Sequence, residues 1–118
     1  MQKLDTQEKI QIWRYTTPQI GIRLYDKTTD EELDLSTFED IRLVLSQQET
    51  ESVKSLKNQT LTITDNMAVA AFSQAETAMF QEGTAQMQCH VLTKGSEAYQ
   101  TEDIVDVKIL QPVDRREI

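Results

Sequence analysis

Cysteine occurs once in these 118 residues, at Cys89, and histidine once, at His90. A single cysteine cannot close an intrachain disulfide, which fits a chain folded in a reducing compartment. One cysteine and one histidine cannot fill a zinc shell, and as neighbours on a strand they point to opposite faces. A catalytic histidine needs a nucleophile to activate and a third group to orient it; no spacing in the chain marks either. Glycine is scarce, with three residues, and no phosphate-cradling glycine loop is present. No apolar run approaches membrane-spanning length and no signal peptide is visible, so export is expected only by lysis or inside a larger particle. Basic residues number 12 against 20 acidic ones, a net charge of −8. Binding to nucleic acid or to an anionic membrane needs a basic face, so neither partner is expected. The shortages together point away from an enzyme and from any metal or cofactor.

The chain does contain a period of two, repeated. From Thr84 to Val91, Ala85, Met87, Cys89 and Val91 alternate with Thr84, Gln86, Gln88 and His90, the pattern of a half-buried strand. The same alternation predicts strands over Ile10 to Tyr15, Gln19 to Tyr25 (Ile20, Ile22 and Leu24 inward), Asp40 to Ser46, Thr60 to Thr64 (Leu61 and Ile63 inward), Met67 to Phe72 and Val105 to Ile109. Ser52 to Asn58 carries only Val53 and Leu56 and predicts no definite element. Ser73 and Glu76 have the spacing of a capping box, followed by Ala75, Ala78 and Met79. This predicts a helical turn stopped by Gly83. Gly95 is expected at a positive-φ position of a hairpin loop. Pro18 and Pro112 mark strand breaks, since proline has no N–H to give a ladder. About seven short strands separated by turn signals predict an all-β fold, an antiparallel β-sandwich with one short helical turn, in a single domain spanning 1–118. A small barrel is the competing architecture. Residues 1–9 are read as a flexible arm that orders only on binding, and 112–118 as a charged tail.

Candidate sites are few. Asp30, Glu32 and Asp34 alternate as in a calcium loop, but Leu35 stands where an EF-hand needs glycine and Ile41 where it needs glutamate. A solvated loop is the better reading. The acid pairs Glu39-Asp40 and Glu102-Asp103 have no spacing that implies a shared cleft. Cys89, on the apolar side of its strand, reads as a small core residue. Gly21 inside a strand marks a bulge or a close backbone approach, or equally a tolerated surface glycine. Thr60, Thr62, Thr64, Gln86 and Gln88 give uncharged hydrogen-bonding faces. Trp13 and Tyr15 share one side of the first strand, opposite Ile10 and Ile12. Exposed aromatics are enriched at interface hot spots, so these two are the candidate interface residues; the competing role is to cover the core.

Three pieces carry a family likeness: IGIRLYDKTTDEELDLSTFEDIRLVLSQ, LTITDNMAVAAFSQAETAMFQEGTAQMQCHV and YQTEDIVDVKILQPV. Together they resemble the immunoglobulin-like N-terminal domain of phage and prophage baseplate upper proteins of Gram-positive bacteria. The resemblance implies an immunoglobulin-like sandwich and a non-catalytic, structural role. It implies other tail or baseplate subunits as partners, homo-oligomer formation, and residence in the virion tail after assembly in the host cytoplasm. It brings no catalytic residues. The alternative is a ligand-binding sandwich that recognises a cell-surface glycan or a host protein.

Overall fold

The computed structural model describes the backbone of residues 2–5 and, in full, residues 10–26, 28–101 and 104–118. Ten strands lie in two sheets among the described residues. Three of them, β1 (Gln2–Asp5), β2 (Ile10–Trp13) and β3 (Gln19–Asp26), precede the polar loop. After a 3-10 turn (Leu35–Thr37) come β4 (Phe38–Gln47), β5 (Thr50–Ser55), β6 (Leu61–Thr64) and β7 (Met67–Ala71). One short helix, α1 (Gln74–Met79), leads to β8 (Gly83–Thr93), β9 (Ala98–Gln100) and β10 (Val105–Leu110). The four-stranded sheet runs β1-β3-β7-β6, and the six-stranded one runs β2-β10-β8-β4-β5 with β9 also paired to β8. All pairings are antiparallel except β2 with β10, which are parallel.

The core lies between the sheets. Ile20, Ile22 and Leu24 of β3 meet Ile41, Leu43 and Leu45 of β4 and the inward row Ala85, Met87, Cys89 and Val91 of β8, all buried. Two inward alanines of β7, Ala68 and Ala70, are register partners of Ile22 and Ile20. Small beside large lets the layer interdigitate at native density. Phe72 and Phe80 close the core on either side of α1.

Several expectations change on contact with these packing demands. Of residues 1–9, Gln2–Asp5 form β1 on the edge of β3; the remainder of the expected arm lies outside the described residues, as does the Glu102-Asp103 pair. The first predicted strand stops at Trp13. Tyr15 has φ 63°, so the alternation that put Trp13 and Tyr15 on one side is broken. The capping box is present, with Ser73 Oγ accepting from Glu76 N and Glu76 Oε1 accepting from Ser73 N. Its helix ends earlier than expected, at an extended Phe80 cap. Gly83, φ +137°, instead opens β8. The helix buries Thr77, while Met79 stands exposed. Ser96, φ 65°, takes the hairpin position expected of Gly95. Ile63 shares the inward side with Leu61, but its place on the edge strand leaves it partly exposed.

β5 is the strand that the pattern hid. Its inward positions are Ser52 and Lys54, and Glu51 and Val53 point outward. Ser52 and Lys54 are buried beneath α1, where both meet Glu76. Gly21 is a close approach rather than a bulge: a Cβ there would lie 2.8 Å from Met67 Sδ, whose side chain crosses the strand. Asn66, φ 56°, ties the β6–β7 turn to the next layer. Its carboxamide accepts from Leu35 N and donates to Leu33 O, both at 2.8 Å.

Candidate functional site: the outer face of the larger sheet

The residues that alternate with the core on β4, β8, β10 and β2 form one open face. Strand register sets them in rows. Trp13 lies opposite Leu110; Gln11, Lys108 and Thr84 form the next row. Asp106, Gln86, Ser46 and Glu51 follow, then Gln88, Val44 and Val53, then His90 and Arg42. Between the Trp13 row and the Arg42 row the charged side chains among the described residues are Arg42 and Lys108 against Glu51 and Asp106. These charges balance, although the chain as a whole carries −8.

Two apolar features interrupt it. Val44 and Val53 are cross-strand partners, and Ile104 lies beside Val44 with Gln86, Gln88 and His90 around a shallow depression of about 160 Å³. Val53 is 38% exposed and Ile104 54%. At the far end Trp13, 49% exposed, borders a groove of about 550 Å³.

The expected interface pair is separated. Trp13 turns outward from the sheet, opposite to buried Ile12. Tyr15 sits past the strand end, its ring 5.0 Å from the Arg14 guanidinium. Arg14 is fixed in turn by Gln111 Oε1 and by Ala78 O, which it meets at 2.7 Å. Tyr15 thus belongs to the chain reversal that anchors α1. Of the uncharged positions, Gln86 and Gln88 lie on this face, and Gln88 Nε2 donates to Thr101 O at 2.7 Å. Thr62 and Thr64 lie in the other sheet, and Thr60 Oγ1 accepts from Ser55 N. Val44, Val53 and Ile104 were missed in the sequence as surface groups. The available signal was the parity of Val44 against the core triad of its strand.

His90 lies on this face between Arg42 and Gln100, and its side chain makes no hydrogen bond among the described residues. Cys89 points into the core, where burial pushes its thiol far above its ordinary pKa and keeps it protonated. In the acidic loop, Asp26 Oδ1 accepts from Thr28 N and Thr29 N, and those bonds lower its pKa. Asp34 Oδ1 accepts from the hydroxyl and the N–H of Ser36, with the same effect. These carboxylates serve turns. No group of three or more His, Cys, Asp or Glu converges on a cation position among the described residues.

The sheet orders define the class. A layer β1-β3-β7-β6 faces β10-β8-β4-β5, with β5 added beside β4 and the first strands divided between the layers. That is the strand order of an immunoglobulin-like β-sandwich with one strand added beyond β4. β3 and β8 are the strands that antibody domains join by a disulfide; here Ile20, Ile22 and Leu24 of β3 share the core with a free Cys89, and no disulfide joins the layers.

No protein-family model matches the chain, and no curated protein matches it. Among solved structures it is similar to one described as murine CRIg, with a TM-score of 0.44 and 7% identity over 93% of this chain and 98% of that one. It is also similar to the Lin-41 filamin domain, with a TM-score of 0.42 and 16% identity over 91% of each chain. The class assignment rests on the strand order, not on these likenesses.

Proposed function

We propose that this chain is a non-catalytic assembly module that docks other protein subunits through the outer face of its larger sheet. One observation carries the reading. A chain of charge −8 presents a face on which Arg42 and Lys108 offset Glu51 and Asp106 among the described residues, with Val44 and Val53 paired on its β4–β5 side and Ile104 lining a depression with Val44. Low net charge reduces the repulsion another acidic subunit would meet, and clustered apolar side chains supply the burial that holds it. The resemblance of the three quoted segments supplies the setting: a tail baseplate of a phage or prophage of Gram-positive bacteria, assembled in the host cytoplasm and carried in the virion tail.

The test is incorporation. Purified particles are probed for the chain by quantitative mass spectrometry, alongside particles made with Val44→Glu or Val53→Glu. The chain is expected at fixed stoichiometry in the tail, and the variants are expected to stay folded but fail to incorporate. Particles that lack the chain would sink the virion setting. Variants that incorporate normally would remove this face from the contact.

A further inference from the structure

We propose that the groove beside Trp13 is a binding site for a neutral oligosaccharide. This goes beyond the assembly reading: the groove shares Lys108 and Asp106 with the face of that reading, while Val44, Val53 and Ile104 lie outside it.

The groove floor is the sheet itself. Trp13 and Leu110 form an apolar row at one end. The next row is Gln11, Lys108 and Thr84, and Asp106 stands one row further along β10. Rows on one face lie about 7 Å apart, two residues of strand rise, and neighbouring strands about 4.8 Å apart. An oligosaccharide with one ring over Trp13 therefore runs its next ring above an amide, an ammonium and a hydroxyl, and reaches the Asp106 carboxylate, two rows from Trp13, with a further ring. That set both donates and accepts, as sugar hydroxyls require. Among the described residues, none of these four polar side chains is held by a hydrogen bond or ion pair. They are available to a ligand without breaking existing contacts.

The aromatic supplies the other half. The face of an indole is electronegative and attracts the polarised C–H groups of a pyranose. Trp13 is nearly half exposed at the groove wall. A volume of about 550 Å³ falls within the range of small-ligand sites.

Other ligand classes fit less well. Asp106 and Glu82 outnumber Lys108 along the groove, in a chain already at −8, which disfavours polyanions. An extended peptide gains most of its affinity by pairing with a sheet edge. This groove lies on a sheet face, where the backbone groups of β10 are already committed to β2 and β8.

Trp13 is the only tryptophan, so emission excited at the red edge of the indole band, beyond tyrosine absorption, reports on this site alone. The intact protein is titrated with chitotriose, cellotriose and maltotriose up to about twenty times a Kd of roughly 1 mM, the strength of a single shallow sugar site. At least one is expected to give a saturable shift in emission. Asp106→Ala and Lys108→Ala, both at exposed positions, should each weaken it at least tenfold with unchanged thermal melting. Val44→Glu should leave it unaltered, which separates this site from the apolar pair Val44 and Val53 of the assembly face. The proposal is overturned if none of the three sugars gives a saturable change, or if the change survives both alanine variants. It is equally overturned if Trp13→Phe, titrated by calorimetry because it has no tryptophan, binds the sugars as tightly as the parent but alters the sedimenting mass, since Trp13 would then be a subunit contact.

Discussion

Lys54 Nζ lies 2.5 Å from Glu76 Oε2, linking the edge strand β5 to the helix α1 across 22 residues of chain. The lysine is 7% exposed and its Nζ stands 5.0 Å over the Phe72 ring. Glu76 also accepts from Ser52 Oγ at 3.1 Å and from Ser73 N at 3.0 Å. One carboxylate thus caps the helix and neutralises a buried cation.

The pair makes stability depend on acid. Burial alone would raise the pKa of Glu76, but Lys54, the Ser73 N–H and the Ser52 hydroxyl together outweigh it and hold the carboxyl below its ordinary 4.5. A depressed folded pKa means stability that is present above 4.5 and lost as pH falls through the folded value. Glu76→Gln is expected to cost about 2 kcal/mol at neutral pH, less than the roughly 3–5 kcal/mol of a fully buried pair broken on one side, because the carboxylate is partly solvated. In urea melts the gap between variant and parent should narrow as pH drops well below 4.5. A gap that stays constant with pH would show that the ion pair does not cause the loss.

Gly83 has φ +137°, and a Cβ built there meets nothing nearer than Gln47 Nε2 at 4.0 Å. Space is free, so only backbone strain opposes a side chain. Gly83→Ala should cost about 1–3 kcal/mol, while Gly95→Ala, which has no such φ, should stay within about 0.5 kcal/mol. Equal melting temperatures for the two variants would contradict this.

Thr77 is buried on the inner side of α1. Its Oγ1 donates to Thr16 O at 3.0 Å and accepts from Thr16 N at 3.2 Å. Thr77→Val keeps the shape and removes both bonds, leaving an N–H and a carbonyl without their partner. A loss of about 1–3 kcal/mol is expected on chemical denaturation. Thr77→Ser keeps the hydroxyl and should recover most of it.

The Cys89 thiol should be unreactive to a thiol-specific chromogenic reagent in the native protein. Labelling should proceed no faster than global unfolding, because burial keeps the thiol both protonated and out of reach. Stoichiometric labelling within seconds at neutral pH would mean that β8 opens locally.

Where a strand buried apolar residues on one side, the sequence announced it: β3, β4, β8 and β10 all show the period of two that their packing requires. The capping box of α1 was legible for a similar reason, since its two bonds are local. β5 was not legible, because what it buries is a lysine and a serine whose partner, Glu76, lies far along the chain. A partner that distant leaves no periodic trace. The face around Val44 and Ile104 was hidden for a related reason. Each apolar group is unremarkable on its own strand, and only strand register gathers them. Trp13 could be singled out by type, but its separation from Tyr15 depends on a left-handed backbone at Tyr15 that nothing local demands.

The parallel pairing of β2 with β10 also sets how the molecule carries load. Ile10 lies beside Val107 and Trp13 beside Leu110, so tension entering ahead of Ile10 and leaving beyond Leu110 slides the two strands lengthwise past each other. The evenly spaced bonds of a parallel ladder then share the force together, whereas a hairpin pulled from one end opens one bond at a time. Once β1 has left β3, a chain drawn from both ends is resisted by the first and last strands of this sheet, acting as a shear clamp.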